Sequence, residues 1–125
     1  MTQTQFAVEL NFPSPPTMNT YLRMQRGRMV KTSTARLYQE TVGVLVWEKY
    51  GHPKPLAGDV SLELEFFQPR DKRRHCDIDN LFKVLIDALT DARLWHDDKQ
   101  VKHIEATINP NTTEDGLAKV RVAGL

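Results

Sequence analysis

The chain has 125 residues, 40% hydrophobic and 26% charged, which suits one compact core, is too short for two, and excludes wholesale disorder. Its formal net charge is +1, and a single cysteine, Cys76, excludes both a disulfide framework and a thiolate zinc site. No apolar run approaches the ~20 residues of a membrane span, and MTQTQFAVEL carries no basic head before an apolar stretch, so a soluble, cytoplasmic protein is expected.

Phe6, Val8, Leu10 and Phe12 alternate with polar or small residues and predict a half-buried strand, which Pro13-Ser14-Pro15-Pro16 stops. The stretch from there to Ser33, with Gly27 inside it, reads as a long basic loop. A helix is predicted from a hydroxyl cap near Ser33 or Thr34 to about Tyr50, with Leu37, Tyr38, Val42, Leu45 and Val46 as its apolar face. Gly43 weakens it, and Gly51-His52-Pro53-Lys54-Pro55 ends it. Val60, Leu62, Leu64 and Phe66 alternate again, a second strand closed by Pro69. Leu81, Phe82, Leu85, Ile86 and Leu89 form a core-facing stripe that predicts a helix from Ile78 to about Ala92. Two strands follow, Val101 to Ile108 and Leu117 to Val122, joined by the turn-rich Asn109-Pro110-Asn111-Thr112-Thr113. The order β-α-β-α-β-β makes an α+β fold, a single domain over residues 1–125 with two helices covering one face of a mixed sheet.

The charges are sorted along the chain. Between Leu10 and Gln39 lie Arg23, Arg26, Arg28, Lys31 and Arg36 and no acidic residue. A second basic knot, Arg70-Asp71-Lys72-Arg73-Arg74, follows the second strand. Then the sign flips: Asp77, Asp79, Asp87, Asp91, Asp97 and Asp98 are opposed only by Lys83 and Arg93. Basic segments of this kind are the footprint expected for phosphate backbones, and a solvated loop with scattered Lys and Arg is the plainer reading beside it.

Asp77 and Asp79 flank Ile78 at the start of the second helix, and in extended backbone residues two apart point the same way, about 6.6 Å apart. Asp79, Lys83 and Asp87 line one edge of that helix, and a return connection would bring Asp97 or Asp98 back to its start. Two carboxylates about 4 Å apart repel by roughly 4 kcal/mol at an effective dielectric near 20, so convergence calls for a cation. Magnesium takes hard oxygen ligands of this type, and a metal so held activates water and neutralises charge on a phosphodiester. Lys83 is placed to support the charge of the transition state. The same residues have plainer uses. Asp77 or Asp79 serves equally as a helix cap, Asp97-Asp98-Lys99 as a surface turn, and Asp87 as a partner for Lys83. His52, His75, His96 and His103 lack ligand spacing and read as surface or packing residues, Cys76 as structural, and Trp47 and Trp95 as core or sheet-covering.

The string Asp77-Ile78-Asp79-Asn80-Leu81, Lys83, Asp87-Ala88-Leu89-Thr90, Trp95 and Asp97-Asp98 with Gln100-Val101 resembles the RusA-type Holliday-junction resolvases. These are small endonucleases of phages, prophages and bacteria. Pro15-Pro16-Thr17 with Asn19 and Tyr21, and Arg26-Gly27-Arg28 with Ser33 and Tyr38, extend the resemblance over roughly Phe12 to Val101. It implies a homodimer that cuts four-way or branched DNA symmetrically with magnesium, or manganese in its place, and with no small-molecule cofactor or membrane. Asp77, Asp79 and Asp98 would be the catalytic, metal-binding carboxylates and Lys83 the catalytic lysine, with Asp97 ranked behind Asp98. Arg23, Arg26, Arg28, Lys31, Arg73 and Arg74 would contact DNA. The family often carries glycine where this chain has Arg93, and basic residues up to the first aspartate where this chain has His75 and Cys76. Two alternatives stand beside it: a catalytically inactive junction-binding protein of the same fold, and an interaction module whose acidic face docks a basic protein.

Overall fold

The computed structural model describes residues 5–16, 22–51 and 55–124. Thr17, Asn19, Tyr21 and His52, and the side chains of Phe6, Val8 and Arg23, lie outside the described residues. Strand β1 (Gln5–Pro13) is followed by β2 (Leu22–Gln25) and β3 (Arg28–Lys31), then helix α1 (Ser33–Tyr50) and β4 (Val60–Pro69). Helix α2 (Ile78–Asp91), β5 (Val101–Thr113) and β6 (Leu117–Gly124) complete the chain, with short 3-10 turns at Lys72–Arg74 and Asp98–Gln100.

Four strands form a mixed sheet in the order β1-β6-β4-β5. Strand β6 is antiparallel to both its neighbours, whereas β4 and β5 are parallel, Val60 opposite Val101 and Phe66 opposite Ile108. Parallel neighbours need a crossover from one end of the sheet to the other, and α2 is that crossover. Leu10 and Phe12 of β1, Val60, Leu62, Leu64 and Phe66 of β4, and Ala118, Val120 and Val122 of β6 are buried in the core. Tyr38, Val42 and Val46 of α1 and Leu81, Val84, Leu85, Ala88 and Leu89 of α2 close over them. On the opposite, solvent-facing side of the sheet Arg121 bridges Glu63 at 3.1 Å and Glu9 at 3.5 Å. This is the expected α+β arrangement, with both helices on one face.

Helix α1 starts one residue early: Thr32 is the cap, its Oγ1 accepting from the Ala35 N–H at 3.1 Å. The basic stretch is not wholly a loop, because β2 and β3 pair as a hairpin from Leu22 to Lys31. Its turn is Arg26-Gly27, both at positive φ (52° and 75°), the geometry that matches the twist of two antiparallel strands. The supposed turn at Asn109–Thr113 is strand. β5 is the sheet's edge, and Pro110 falls at the irregularity between the Phe67–Asn109 and Pro69–Thr113 pairs, where a strand tolerates proline. Leu37 is 64% and Trp47 54% exposed, so neither belongs to the core as expected. Along α2, Val84 and Ala88 take buried positions expected for Phe82 and Ile86, which are half-buried.

Candidate active site

The chain enters α2 through a series of pins. Asp71 caps the turn Lys72–Arg74, accepting from the Arg73 N–H at 3.0 Å and from its guanidinium at 3.1 and 3.2 Å. Arg73 therefore holds the Asp71 carboxyl below its usual range. His75 Nε2 lies 2.6 Å from the Pro69 carbonyl, and the Cys76 N–H donates to Oε1 of the buried Gln68 at 3.0 Å. Burial, then the neighbouring Asp77, pushes the Cys76 thiol up, which suits a structural and unreactive cysteine. Asp77 occupies the N-cap position of α2 but makes no side-chain cap bond. Asp79 lies in the first turn; both carboxylates are exposed and favoured by the helix dipole. Lys83 is exposed one turn further along.

The other end of α2 is built as tightly. Arg93 adopts φ +68°, and the Leu94 N–H reaches back to the Leu89 carbonyl at 3.4 Å, reversing the chain. Trp95, fully buried, donates its indole N–H to Thr90 Oγ1 at 2.6 Å and anchors the connection. Asp97 then caps the turn Asp98–Gln100, its Oδ1 accepting from the Lys99 N–H at 2.9 Å. That bond, followed by one shared with Asp98, holds the Asp97 carboxyl low. Asp98 is pushed up by the bond with Asp97, then by burial and by the charges of Asp97 and Asp87. Asp87 does not pair with Lys83: its Oδ2 accepts from Lys31 Nζ at 3.0 Å and Gln39 Nε2 at 2.9 Å, tying β3 and α1 to α2.

One expectation fails on topology. A crossover between parallel strands carries the chain away from its start, so Asp97 and Asp98 stand at the C-terminal end of α2. Fourteen residues of helix span about 21 Å, and Asp98 senses Asp87 rather than Asp77 or Asp79. Among the described residues, no three His, Cys, Asp or Glu side chains gather in a metal-holding group.

Of the basic residues, Arg26 and Arg28 are exposed at the tip of the β2–β3 hairpin. Arg73 and Arg74 border a groove of about 540 Å³ whose far wall is Pro13-Ser14-Pro15-Pro16. Tyr38 fixes the start of that wall, its hydroxyl donating to the Pro13 carbonyl at 2.8 Å. Lys31, expected on phosphate, has its ammonium on Asp87.

Residues 12–123 match the family model described as endodeoxyribonuclease RusA. The chain is 36% identical over 92 residues, 74% of each sequence, to the crossover junction endodeoxyribonuclease RusA of Escherichia coli strain K12. The same figures hold for the protein of that name from Enterobacteria phage 82. To the RusA of Escherichia coli O139:H28 it is 35% identical over 116 residues, 93% of each sequence. The chain belongs to the RusA family. It is an endodeoxyribonuclease.

Sequence reasoning gave this RusA-family chain its acidic residues but missed what positions them. In the sequence Gln100 stands out only as part of the motif string. Its Oε1 accepts from the His96 and Asp97 N–H groups at 2.8 and 3.0 Å, and its Nε2 donates to the Leu56 and Gly58 carbonyls at 2.8 and 2.7 Å. Gln at the third position after Asp97 is the sequence mark of a reciprocal cap, and it was the signal available.

Proposed function

We propose that this endonuclease resolves Holliday junctions and related branched DNA by paired symmetric phosphodiester cleavage, as a magnesium-dependent homodimer in the cytoplasm. The observation that carries the reading is the 36% identity over 92 residues to proteins named crossover junction endodeoxyribonuclease, with the acidic string falling inside the matched family region. Exposed Asp77 and Asp79 side chains on the first turn of α2, with no cap bond from Asp77, support a role beyond the fold. No helix among the described residues is long and apolar enough to cross a membrane.

The donor chemistry fits a hard divalent cation. Asp77, Asp79 and Asp98 offer carboxylate oxygens, and the bond and charge of Asp97 push the Asp98 carboxyl up, a repulsion that a cation relieves. When bound, the ion supplies an activated water and neutralises charge developing at phosphorus. Lys83 offers its ammonium to the same phosphoryl oxygens. Arg26, Arg28, Arg73 and Arg74 hold backbone phosphates on either side, with Arg23 and Lys31 as further contacts; the ion pair with Asp87 narrows the part of Lys31. The helix length between the two acid pairs favours the homodimer, because two-fold pairing lets Asp77 and Asp79 of one protomer meet Asp98 of its partner. A four-way junction has matching two-fold symmetry and needs two opposed nicks.

The test is a labelled four-way junction and a linear duplex of matching sequence, each incubated with magnesium or EDTA. Paired symmetric nicks in the junction alone, dependent on the metal and lost in Asp79→Asn, are expected. Tight junction binding without nicks, in wild type and variant alike, would favour the catalytically inactive binder. Equal treatment of junction and duplex would overturn the reading.

A further inference from the structure

We propose that the groove between α1 and the C-terminal end of α2 binds one unstacked nucleobase of the branched substrate, with Trp47 as the stacking platform and Arg93 and His96 beside it. The inference rests on the junction-cleaving reading above and names a contact that reading does not use.

Trp47 stands 54% exposed on α1, although its neighbour Val46 is buried in the core. Gly43, one turn earlier, would place a Cβ in open space. Trp47, Gly43, Pro55, Arg93 and His96 border a groove of about 420 Å³. That lies within the roughly 300–1,000 Å³ usual for small-molecule sites, which combine apolar and aromatic walls with a few placed polar groups.

Arg93 is the second observation. It sits at φ +68°, where a side chain is disfavoured and glycine serves without strain. The chain nevertheless carries a guanidinium at this turn, on the wall of the groove. Residues held in such conformations are concentrated at functional sites. Exposed His96, the last residue of the lining in chain order, immediately precedes Asp97 and Asp98 in the sequence.

The neighbourhood selects the occupant. Its exposed lining offers an indole face with a guanidinium and an imidazole beside it, a set that suits the flat face of a base. An indole face stacks any base, and a planar cation beside it adds to the attraction. A continuous duplex keeps its bases paired and stacked, while a branch point holds those most easily turned out. The groove therefore rewards the branched form specifically.

The experiment places 2-aminopurine, in turn, at each branch-point position of a four-way junction, and titrates wild type, Trp47→Leu and Trp47→Phe in EDTA. In wild type one position is expected to show a fluorescence change absent from the matching duplex. Trp47→Leu should abolish that change and weaken junction binding by roughly 5- to 150-fold, the range that base–aromatic stacking gives, with Trp47→Phe largely restoring both. Wild-type junction affinity in Trp47→Leu, with the fluorescence change intact, overturns the inference and leaves the junction reading standing. Equal wild-type affinity for junction and duplex takes down both. A change in oligomeric mass of Trp47→Leu, measured by light scattering, assigns the groove to contact between copies and also overturns it.

Discussion

Gln100 uses both polar atoms of its side chain to tie the backbone of His96 and Asp97 to the carbonyls of Leu56 and Gly58. It touches no substrate in this arrangement, so its effect passes through the carboxylates. Gln100→Ala is expected to lower single-turnover cleavage by on the order of 10- to 100-fold, as loss of the groups that orient metal ligands does. Junction affinity measured in EDTA should stay near wild type. Equal cleavage by the two proteins would show that Asp98 needs no such support. The paired aspartates carry a second prediction. The folded chain holds the Asp98 proton more tightly than an unfolded chain does. Its contribution to stability is therefore present at low pH and lost as pH rises through the raised value. Asp98→Asn has no such loss. Without metal, its Tm should exceed that of wild type at pH 7, and the gap should close as the pH falls towards about 4, the ordinary carboxylate range. Cleavage by the variant should be absent throughout. A gap that widens on acidification would contradict the assigned direction.

The elements divide the basic residues into two kinds. Arg26 and Arg28 stand at the tip of the β2–β3 hairpin, whereas Lys31 closes the hairpin onto α2 through Asp87. Only residues that neutralise phosphates contribute to the salt dependence of DNA binding. Arg28→Ala should therefore reduce the slope of log K against log salt by about 1, while Lys31→Ala should leave it near the wild-type value. A slope reduced equally by both would return Lys31 to the phosphate contacts. This hairpin also shows what the sequence concealed. Helix α2 was legible because five apolar residues recur at helical spacing over three turns. Strands β2 and β3 have four residues each and no clean alternation, and arginine at a positive-φ turn position is an unusual hairpin signal. Asn109-Pro110-Asn111 reads as a turn in any sequence, and only the position of β5 at the sheet edge makes it strand. Trp47 reads as core or sheet-covering for the opposite reason: hydropathy reports what a side chain prefers, not where the fold places it, and here it is exposed.

At the scale of the whole molecule, the acidic residues were legible one by one and their convergence was not. The direction of β5 decides it. Had β4 and β5 been antiparallel, the chain after α2 would have returned to the start of the helix, and one chain could have joined Asp98 to Asp77 and Asp79. Parallel pairing instead puts the two acid groups towards opposite ends of α2, a helix about 21 Å long. A homodimer built on shared sites makes a prediction that separate sites do not. Asp79→Asn and Asp98→Asn are each expected to be inactive. In a mixed dimer, one site receives both substitutions, while the other combines Asp77 and Asp79 of the Asp98→Asn protomer with Asp98 of the Asp79→Asn protomer and is intact. Co-refolding the two variants in equal amounts gives about half mixed dimers by random assortment, each with one working site. Such a preparation should nick one strand of a labelled junction per binding event, without the paired second cut. If each chain carried its own complete site, every dimer in the mixture would contain two damaged sites and no nicking would return. Restored single nicks thus report the sharing of carboxylates between protomers, independently of where the two chains touch.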